Sequence, residues 1–288
     1  MVSSQFFEAD GLRFHFRTTG AGIPFVFQHG LGGDATQTFD YCVPPAGVRL
    51  LTLDCRGHGE TTPLGPEERL SIPQFVDDLR AFLDRLQLDQ IIVGGISMGA
   101  AVALEFTLRF PERVLGLVLS RPAWLDEVRE NDFQVFGRIA GLIRRYGAFE
   151  GALRFQKSVE FEQIRRGSPD NARSVLGQFS HPRAAETVAK LEQIPRYRPT
   201  SPRSTWCGIR VPTLVLGNRL DVIHPYEFAL EYARRIPGAE GHEITPKSVN
   251  ATQHTSEHRR WLAEFLSAHW GASDSVRGEP PVGPPDGA

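Results

Sequence analysis

The chain has 288 residues, 41% of them apolar and 23% charged, the proportions of an ordinary globular protein rather than a largely disordered or fibrous one. Its 32 Lys and Arg nearly cancel its 34 Asp and Glu, so there is no overall positive field to hold phosphate backbones or anionic lipid, and nucleic acid and membranes are not expected partners. The length exceeds a usual domain of roughly 100–200 residues but suits one α/β domain carrying an insertion.

The N-terminus, MVSSQFFEADGLRF, lacks a basic stretch followed by an apolar one and does not read as a secretory signal. No run approaches the roughly 18 apolar residues of a membrane span, and a cytoplasmic location is the expectation. Residues 5–9 and 13–19 flank Asp10-Gly11, a dipeptide suited to a tight hairpin turn, so the sheet should open with an antiparallel pair. Apolar runs rich in β-branched residues follow at 25–28, 49–53, 90–93, 114–119 and 213–216 and read as buried parallel strands, with 240–244 as the last strand. Between 72 and 86 the apolar residues fall at 72, 75, 76, 79, 82, 83 and 86, a stripe of helical period that Ser71 and Gln74 open as a capping box. Further helices are expected from Ser97 to about Phe110, from Pro225 to about Ile236, and over 256–268. The alternation predicts an α/β fold, a mostly parallel sheet with helices on both faces.

Residues 121–205 break the alternation with helix-like stretches at 125–146 and 182–194 and no convincing strand, and read as an inserted helical lid. The body is then 1–120 with 206–270, and 271–288, rich in Pro, Gly and Ser, should be disordered. The lid carries 15 Lys and Arg against 10 Asp and Glu. A basic lid could favour an anionic substrate, but arginines solvated on helix faces account for the same excess. Cys42, Cys55 and Cys207 are odd in number and lack a CxxC pair, so all three are read as reduced, and no metal or cofactor is implied.

The chemistry concentrates after the strand at 90–93. There Gly95-x-Ser97-x-Gly99 runs into an Ala-rich helix, and a serine on so sharp a strand-to-helix turn needs small neighbours two residues either side. The turn exposes the hydroxyl and sets it at a helix N-terminus, where free N–H groups can stabilise an oxyanion. A serine hydroxyl is a weak nucleophile at neutral pH and needs a histidine base that an acid orients. Asp221, on the loop past 213–216, shares the carboxyl rim of the sheet with Ser97 and is the candidate acid. For the base, His254 in the polar stretch Asn250-Ala-Thr-Gln-His-Thr-Ser256 is preferred to His242, which falls in the last strand, because a base must reach over the rim on a loop. His258 sits one turn into the last helix, and His15, His181, His224 and His269 fall where exposed or capping side chains are expected. His29-Gly-Leu-Gly-Gly33 follows the strand at 25–28 and can complete the oxyanion hole, whose donors are assigned to the backbone N–H groups of Leu31 and Met98. Neither GxGxxG nor GxxxxGK[ST] occurs there, which argues against a phosphate cradle.

With His29-Gly-Leu-Gly-Gly33, Asp54-Cys-Arg-Gly-His-Gly59, Gly95-Ile-Ser-Met-Gly99, the Asp221 loop and His254 in that order, the chain resembles the α/β-hydrolase superfamily over residues 5–120 and 206–268. The resemblance implies an eight-stranded sheet and a Ser, Asp, His triad in that chain order. The family's histidine commonly follows a glycine, whereas here Gln253 precedes His254 and the Gly-His pair is at 241–242, which leaves His242 as the alternative base. The small esterase, lactonase and carbon–carbon hydrolase types with a helical lid are the most similar subgroup. The expected activity is cleavage of an ester, lactone or similar acyl bond in a small-molecule substrate, through an acyl-enzyme on Ser97. Acyl transfer or perhydrolysis on the same residues, and a ligand-binding protein with little turnover, are the alternatives.

Overall fold

The computed structural model describes residues 1–127, 129, 133–197, 199 and 201–271. Eight strands form one sheet: β1 (Ser3–Ala9), β2 (Leu12–Gly20), β3 (Ile23–Gln28), β4 (Val48–Leu53), β5 (Ile91–Ile96), β6 (Val114–Ser120), β7 (Thr213–Gly217) and β8 (Glu240–Glu243). Their order across the sheet is β1-β2-β4-β3-β5-β6-β7-β8. β2 runs antiparallel to both of its neighbours, and every other pair is parallel. The hairpin at Asp10-Gly11 has both residues at positive φ, 50° and 74°, the conformation that a tight two-residue turn between twisted strands requires.

The helices are α1 (Ala35–Tyr41), α2 (Ile72–Arg85), α3 (Met98–Arg109), α4 (Gln134–Gln156), α5 (Val159–Gly167), α6 (Pro169–Gly177), α7 (Lys190–Gln193), α8 (Tyr226–Arg235) and α9 (Ala251–Trp270). The side-chain period of two divides the core strands between the two faces of the sheet. Val26, Val93, Leu117, Leu119 and Val215 join a core with α2 and α3. Phe25, Phe27, Ile92, Val118, Leu214 and Leu216 join a second core with Leu262, Phe265 and Leu266 of α9. α2 starts at Ser71, whose hydroxyl accepts from the Gln74 N–H, and buries Ile72, Phe75, Val76, Leu79, Phe82 and Leu83. Each such side chain contributes about 1.5–3 kcal/mol by leaving water.

Between β6 and β7 the described residues form helices and turns and no strand. α4 is interrupted at Gly147, where φ is 74° and ψ 170°. The expected stretch at 182–194 is helical only over α7, with turns before it. This insertion is fastened to the body by Arg183, which donates to the carbonyls of Gly59 and Thr61 at 3.0 and 2.8 Å, and by the buried Lys190, which donates to the Gly57 carbonyl at 3.3 Å. Several of its exposed arginines pair with its own carboxylates, as in Arg144–Glu192, Arg154–Glu150 and Arg165–Glu162. The tail expected to be disordered lies, apart from Gly271, outside the described residues. Among the described residues no helix is long and apolar enough to cross a membrane.

Candidate active site

β5 ends at Ile96 and α3 begins at Met98, which leaves Ser97 alone in the bend with φ 57° and ψ −110°. A non-glycine residue held there costs about 1–3 kcal/mol, and the surrounding packing must over-determine it. That packing is visible in the flanking glycines. A Cβ on Gly95 would lie 2.2 Å from the Gly99 carbonyl carbon, and one on Gly99 would lie 2.3 Å from the Gln28 carbonyl oxygen. Helix α3 therefore starts hard against β3 and β5, and the hydroxyl is presented at the carboxyl edge of the sheet. Leu31, on the loop after β3, lines the same cavities as Ser97. Met98 is the first residue of α3, and its N–H belongs to the first helical turn, which has no intrahelical acceptor.

Two strands away, Ser120 of β6 pairs with Leu216 of β7, and the next N–H, that of Arg121, donates to the Leu216 carbonyl at 2.7 Å. This register sets the loop between β7 and α8, residues 218–225, beside the serine. Asp221 and His224 both stand on it. The His224 Nε2 is 2.8 Å from Ser97 Oγ. Its Nδ1 is 2.9 and 3.0 Å from the two Asp221 oxygens, and its backbone N–H also donates to Asp221 Oδ1 at 3.0 Å. On the far side of the carboxylate, Arg121 donates from Nε and Nη2 to Oδ2 at 2.9 and 2.6 Å.

The charges fix the proton positions. Burial opposes ionisation of Asp221, but Arg121 and His224 outweigh it and hold the carboxyl well below the usual carboxylate range. Burial, with Arg121 in support and Asp221 opposed, keeps the His224 imidazole below its ordinary value. An ionised Asp221 can only accept, so the neutral imidazole carries its proton on Nδ1 and offers Nε2 as the acceptor to the Ser97 hydroxyl.

His254, the expected base, is not joined to Ser97. The last helix begins at Ala251, five residues earlier than the apolar pattern indicates, because the Asn250 side chain accepts from the Gln253 N–H and caps it. His254 therefore sits in a helical turn instead of a loop. It is fully buried there, and its Nδ1 faces the Thr245 carbonyl at 2.8 Å. His242 stacks face to face on Trp261, with centroids 3.6 Å apart, and His258 Nε2 is 2.7 Å from Ser120 Oγ. Ser97 and Asp221 are brought together as expected, but through His224, whose place in the sequence suggests an exposed or capping side chain.

Two cavities meet at Ser97. One, about 20 Å³, is walled by apolar side chains including Trp124, Phe133, Phe136 and Ile223. The other, about 150 Å³, is bordered by Gln37, Arg121, Phe136, Gln178 and His224. A serine hydroxyl with a neutral imidazole on it, helix-start N–H groups behind it and a partly apolar space in front can bind and attack a carbonyl carbon.

A family model for the alpha/beta hydrolase fold matches residues 23–248. The chain belongs to that family. Among curated members, an AB hydrolase superfamily protein of Bacillus subtilis (strain 168) is 26% identical over 234 residues, 77% of this chain and 82% of that protein. A 2-hydroxy-6-oxo-2,4-heptadienoate hydrolase of Pseudomonas putida is 27% identical over 247 residues, 81% and 85% of the two chains. Among solved alpha/beta hydrolase relatives, a thermophilic esterase from Thermogutta terrifontis matches with a TM-score of 0.64 at 26% identity, over 92% of this chain and 99% of that one. The enol-lactonase from Burkholderia xenovorans LB400 shares the fold with a TM-score of 0.70 at 20% identity, over 91% and 100%.

The Asp54 motif has a structural role in its hydrogen bonds. Asp54 accepts from the N–H groups of Ala35 and Glu60 at 2.6 and 2.9 Å and holds His15 at 2.7 Å, bracing the loop after β3. Sequence reasoning missed His224 and Arg121. For His224 a signal existed, since the rim argument that selected Asp221 applies equally to a histidine three residues along the same loop. Arg121 offers none, being 100 residues from the carboxylate it meets.

Proposed function

We propose that this alpha/beta hydrolase cleaves a carboxylic ester, lactone or similar acyl bond through an acyl-enzyme on Ser97, with His224 as general base and Asp221 as the acid that orients it. The observation that carries this reading is the 2.8 Å contact between His224 Nε2 and Ser97 Oγ, backed by the Asp221 carboxylate on Nδ1. The thermophilic esterase among its relatives, at 26% identity, supports the ester class, and the dienoate hydrolase supports hydrolysis more broadly.

The Ser97 oxygen attacks the substrate carbonyl carbon while its proton passes to His224 Nε2. The resulting oxyanion is met by the N–H groups of Leu31 and Met98, and the imidazolium by the Asp221 carboxylate. As the C–O bond to the leaving group breaks, His224 returns the proton to the departing oxygen. Water then enters, gives its proton to His224, attacks the acyl carbon and releases the acid, and the proton goes back to Ser97. Arg121 keeps Asp221 ionised throughout, so the aspartate stabilises the imidazolium without taking up the proton.

Treatment with a fluorophosphonate and mass spectrometry of the product tests the nucleophile: a single adduct is expected on Ser97, and Ser97→Ala should carry none. An adduct of equal yield on the alanine variant refutes the assignment. The apolar cavity also predicts a preference for short acyl groups. Phe136 lines both cavities, so Phe136→Ala should join them and raise the kcat/KM ratio of octanoyl over acetyl p-nitrophenyl ester by about tenfold, the scale on which a hydrophobic pocket discriminates. An unchanged ratio would place the acyl group elsewhere.

A further inference from the structure

The insertion meets the loop of Asp221 and His224 through the hydrogen bonds of one side chain, Asn171. α6 starts at Ser168, which is fully buried and whose hydroxyl accepts from the Asn171 N–H at 3.3 Å. The Asn171 side chain is turned away from its own helix and across to the body. Its Oδ1 accepts two backbone N–H groups, Val222 at 2.8 Å and Ile223 at 3.1 Å. Val222 and Ile223 are the two residues between Asp221 and His224. Asn171 is 1% exposed, so water does not compete for the bonds. The same turn of the insertion approaches the site at two further points, one at the residue after β6 and one on the loop itself. Asp170 lies 3.6 Å from the Arg121 guanidinium that grips Asp221, and a Cβ on Gly167 would lie 3.2 Å from a Val222 methyl. At the other end of this segment Gln178 closes on the loop after β3: a Cβ on Gly32 would stand 2.2 Å from its amide nitrogen. Residues 167–178 thus span from the loop with the acid and base to the loop with Leu31.

A loop that carries both members of an acid–base pair has no strand or helix of its own to fix it between β7 and α8, and its two middle N–H groups need acceptors once buried. Asn171 supplies both with one oxygen. We propose that Asn171 is a positioning residue for proton transfer at Ser97: by holding the Val222 and Ile223 peptides it sets the His224 ring on the serine, so that the base is in place only while α6 is seated on the body. The insertion then assembles the site as well as covering it. This inference rests on His224 being the general base. A displacement of about 1 Å in such a group costs on the order of 10²-fold in rate.

The test uses the full chain and four variants, Asn171→Leu, Asn171→Asp, His224→Ala and the Asn171→Leu/His224→Ala double, with p-nitrophenyl acetate and with thermal melting as a check on folding. For Asn171→Leu, kcat should fall about 30-fold with KM changed less than about twofold, because the contact acts on the base and not on substrate. Asn171→Asp keeps the acceptor oxygen and should stay within about threefold of the parent on the alkaline plateau of its pH profile, where added negative charge no longer alters the fraction of neutral imidazole. Residues that act as one unit are non-additive, so the double variant should be no slower than His224→Ala alone, within about twofold. If the leucine variant does not fold, Asn171→Ala, which leaves space for water at the two N–H groups, takes its place in the cycle. A normal kcat in the folded variant, losses that multiply in the double, or an aspartate variant as slow as the leucine one overturns the proposal and leaves the base intact. Full activity in His224→Ala alone brings down the base, and the proposal with it.

Discussion

In His224→Ala, kcat/KM for a short-chain p-nitrophenyl ester should fall about 10³–10⁴-fold, whereas His254→Ala should stay within about threefold of the parent enzyme. The first figure is the scale on which a positioned base and its orienting acid contribute, with the residual rate coming from the oxyanion donors and binding. The second follows from where His254 is. Its ring lies in the first turns of α9, with Nδ1–H donating to the Thr245 carbonyl at 2.8 Å and the edge of Tyr41 beside it, centroids 5.9 Å apart. Removing it leaves a half-buried carbonyl without its partner and a small void, which costs about 1–3 kcal/mol of stability rather than catalytic rate. The two variants therefore separate on two axes, and melting temperature read beside kcat/KM distinguishes them. A folded His254→Ala enzyme with no turnover, next to a working His224→Ala enzyme, would reverse the assignment.

The contrast between these two histidines shows what the sequence carries locally and what it does not. The strands announce themselves because they are buried on both faces, so that runs such as those in β3, β5 and β7 are mostly apolar without alternation. Ser97 is legible because its glycines are dictated by backbone approach within a few residues and to an adjacent strand. Asp221 is legible because loop and rim follow from the end of β7. His254 was misjudged through the start of one helix: the apolar stripe begins late in α9, while the capping pair Asn250 and Gln253 marks the true beginning, and polar first turns look like loops when only apolar period is weighed. His224 was discounted for the converse reason, since a histidine just ahead of Pro225 and a helix fits a capping position well. Arg121 and Asn171 lie beyond any local pattern, because each meets its partners across 50 or more residues. Only the tertiary register of β6 against β7, and of α6 against the loop, brings them to Asp221.

Arg121 carries the second large effect. It is the residue immediately after β6, held at a φ of 47°, and its guanidinium gives two hydrogen bonds to an Asp221 side chain that is 1% exposed. In Arg121→Gln the carboxylate keeps His224 but loses its cation, and breaking a buried ion pair from one side costs about 3 kcal/mol, the lower end of the range because the His224 ring and N–H remain bonded to it. Asp221 is held below its unfolded value, so its contribution to stability is present above the ordinary carboxylate range and is lost as pH falls toward the depressed folded value. Without Arg121 that folded value rises, and the variant should lose less of its remaining stability on acidification than the parent does. In catalysis the shift runs the other way for the enzyme's benefit. Burial, then Arg121, keeps His224 below its ordinary value, while Asp221 opposes them. Removing the guanidinium favours the imidazolium, so the acid limb of kcat/KM should move to higher pH and activity near neutrality should drop more than on the alkaline plateau. A guanidinium that merely braced the fold would lower the melting temperature and leave that limb where it is. The pH profile of the folded variant thus decides whether Arg121 belongs to the proton-transfer chemistry or only to the architecture beneath it.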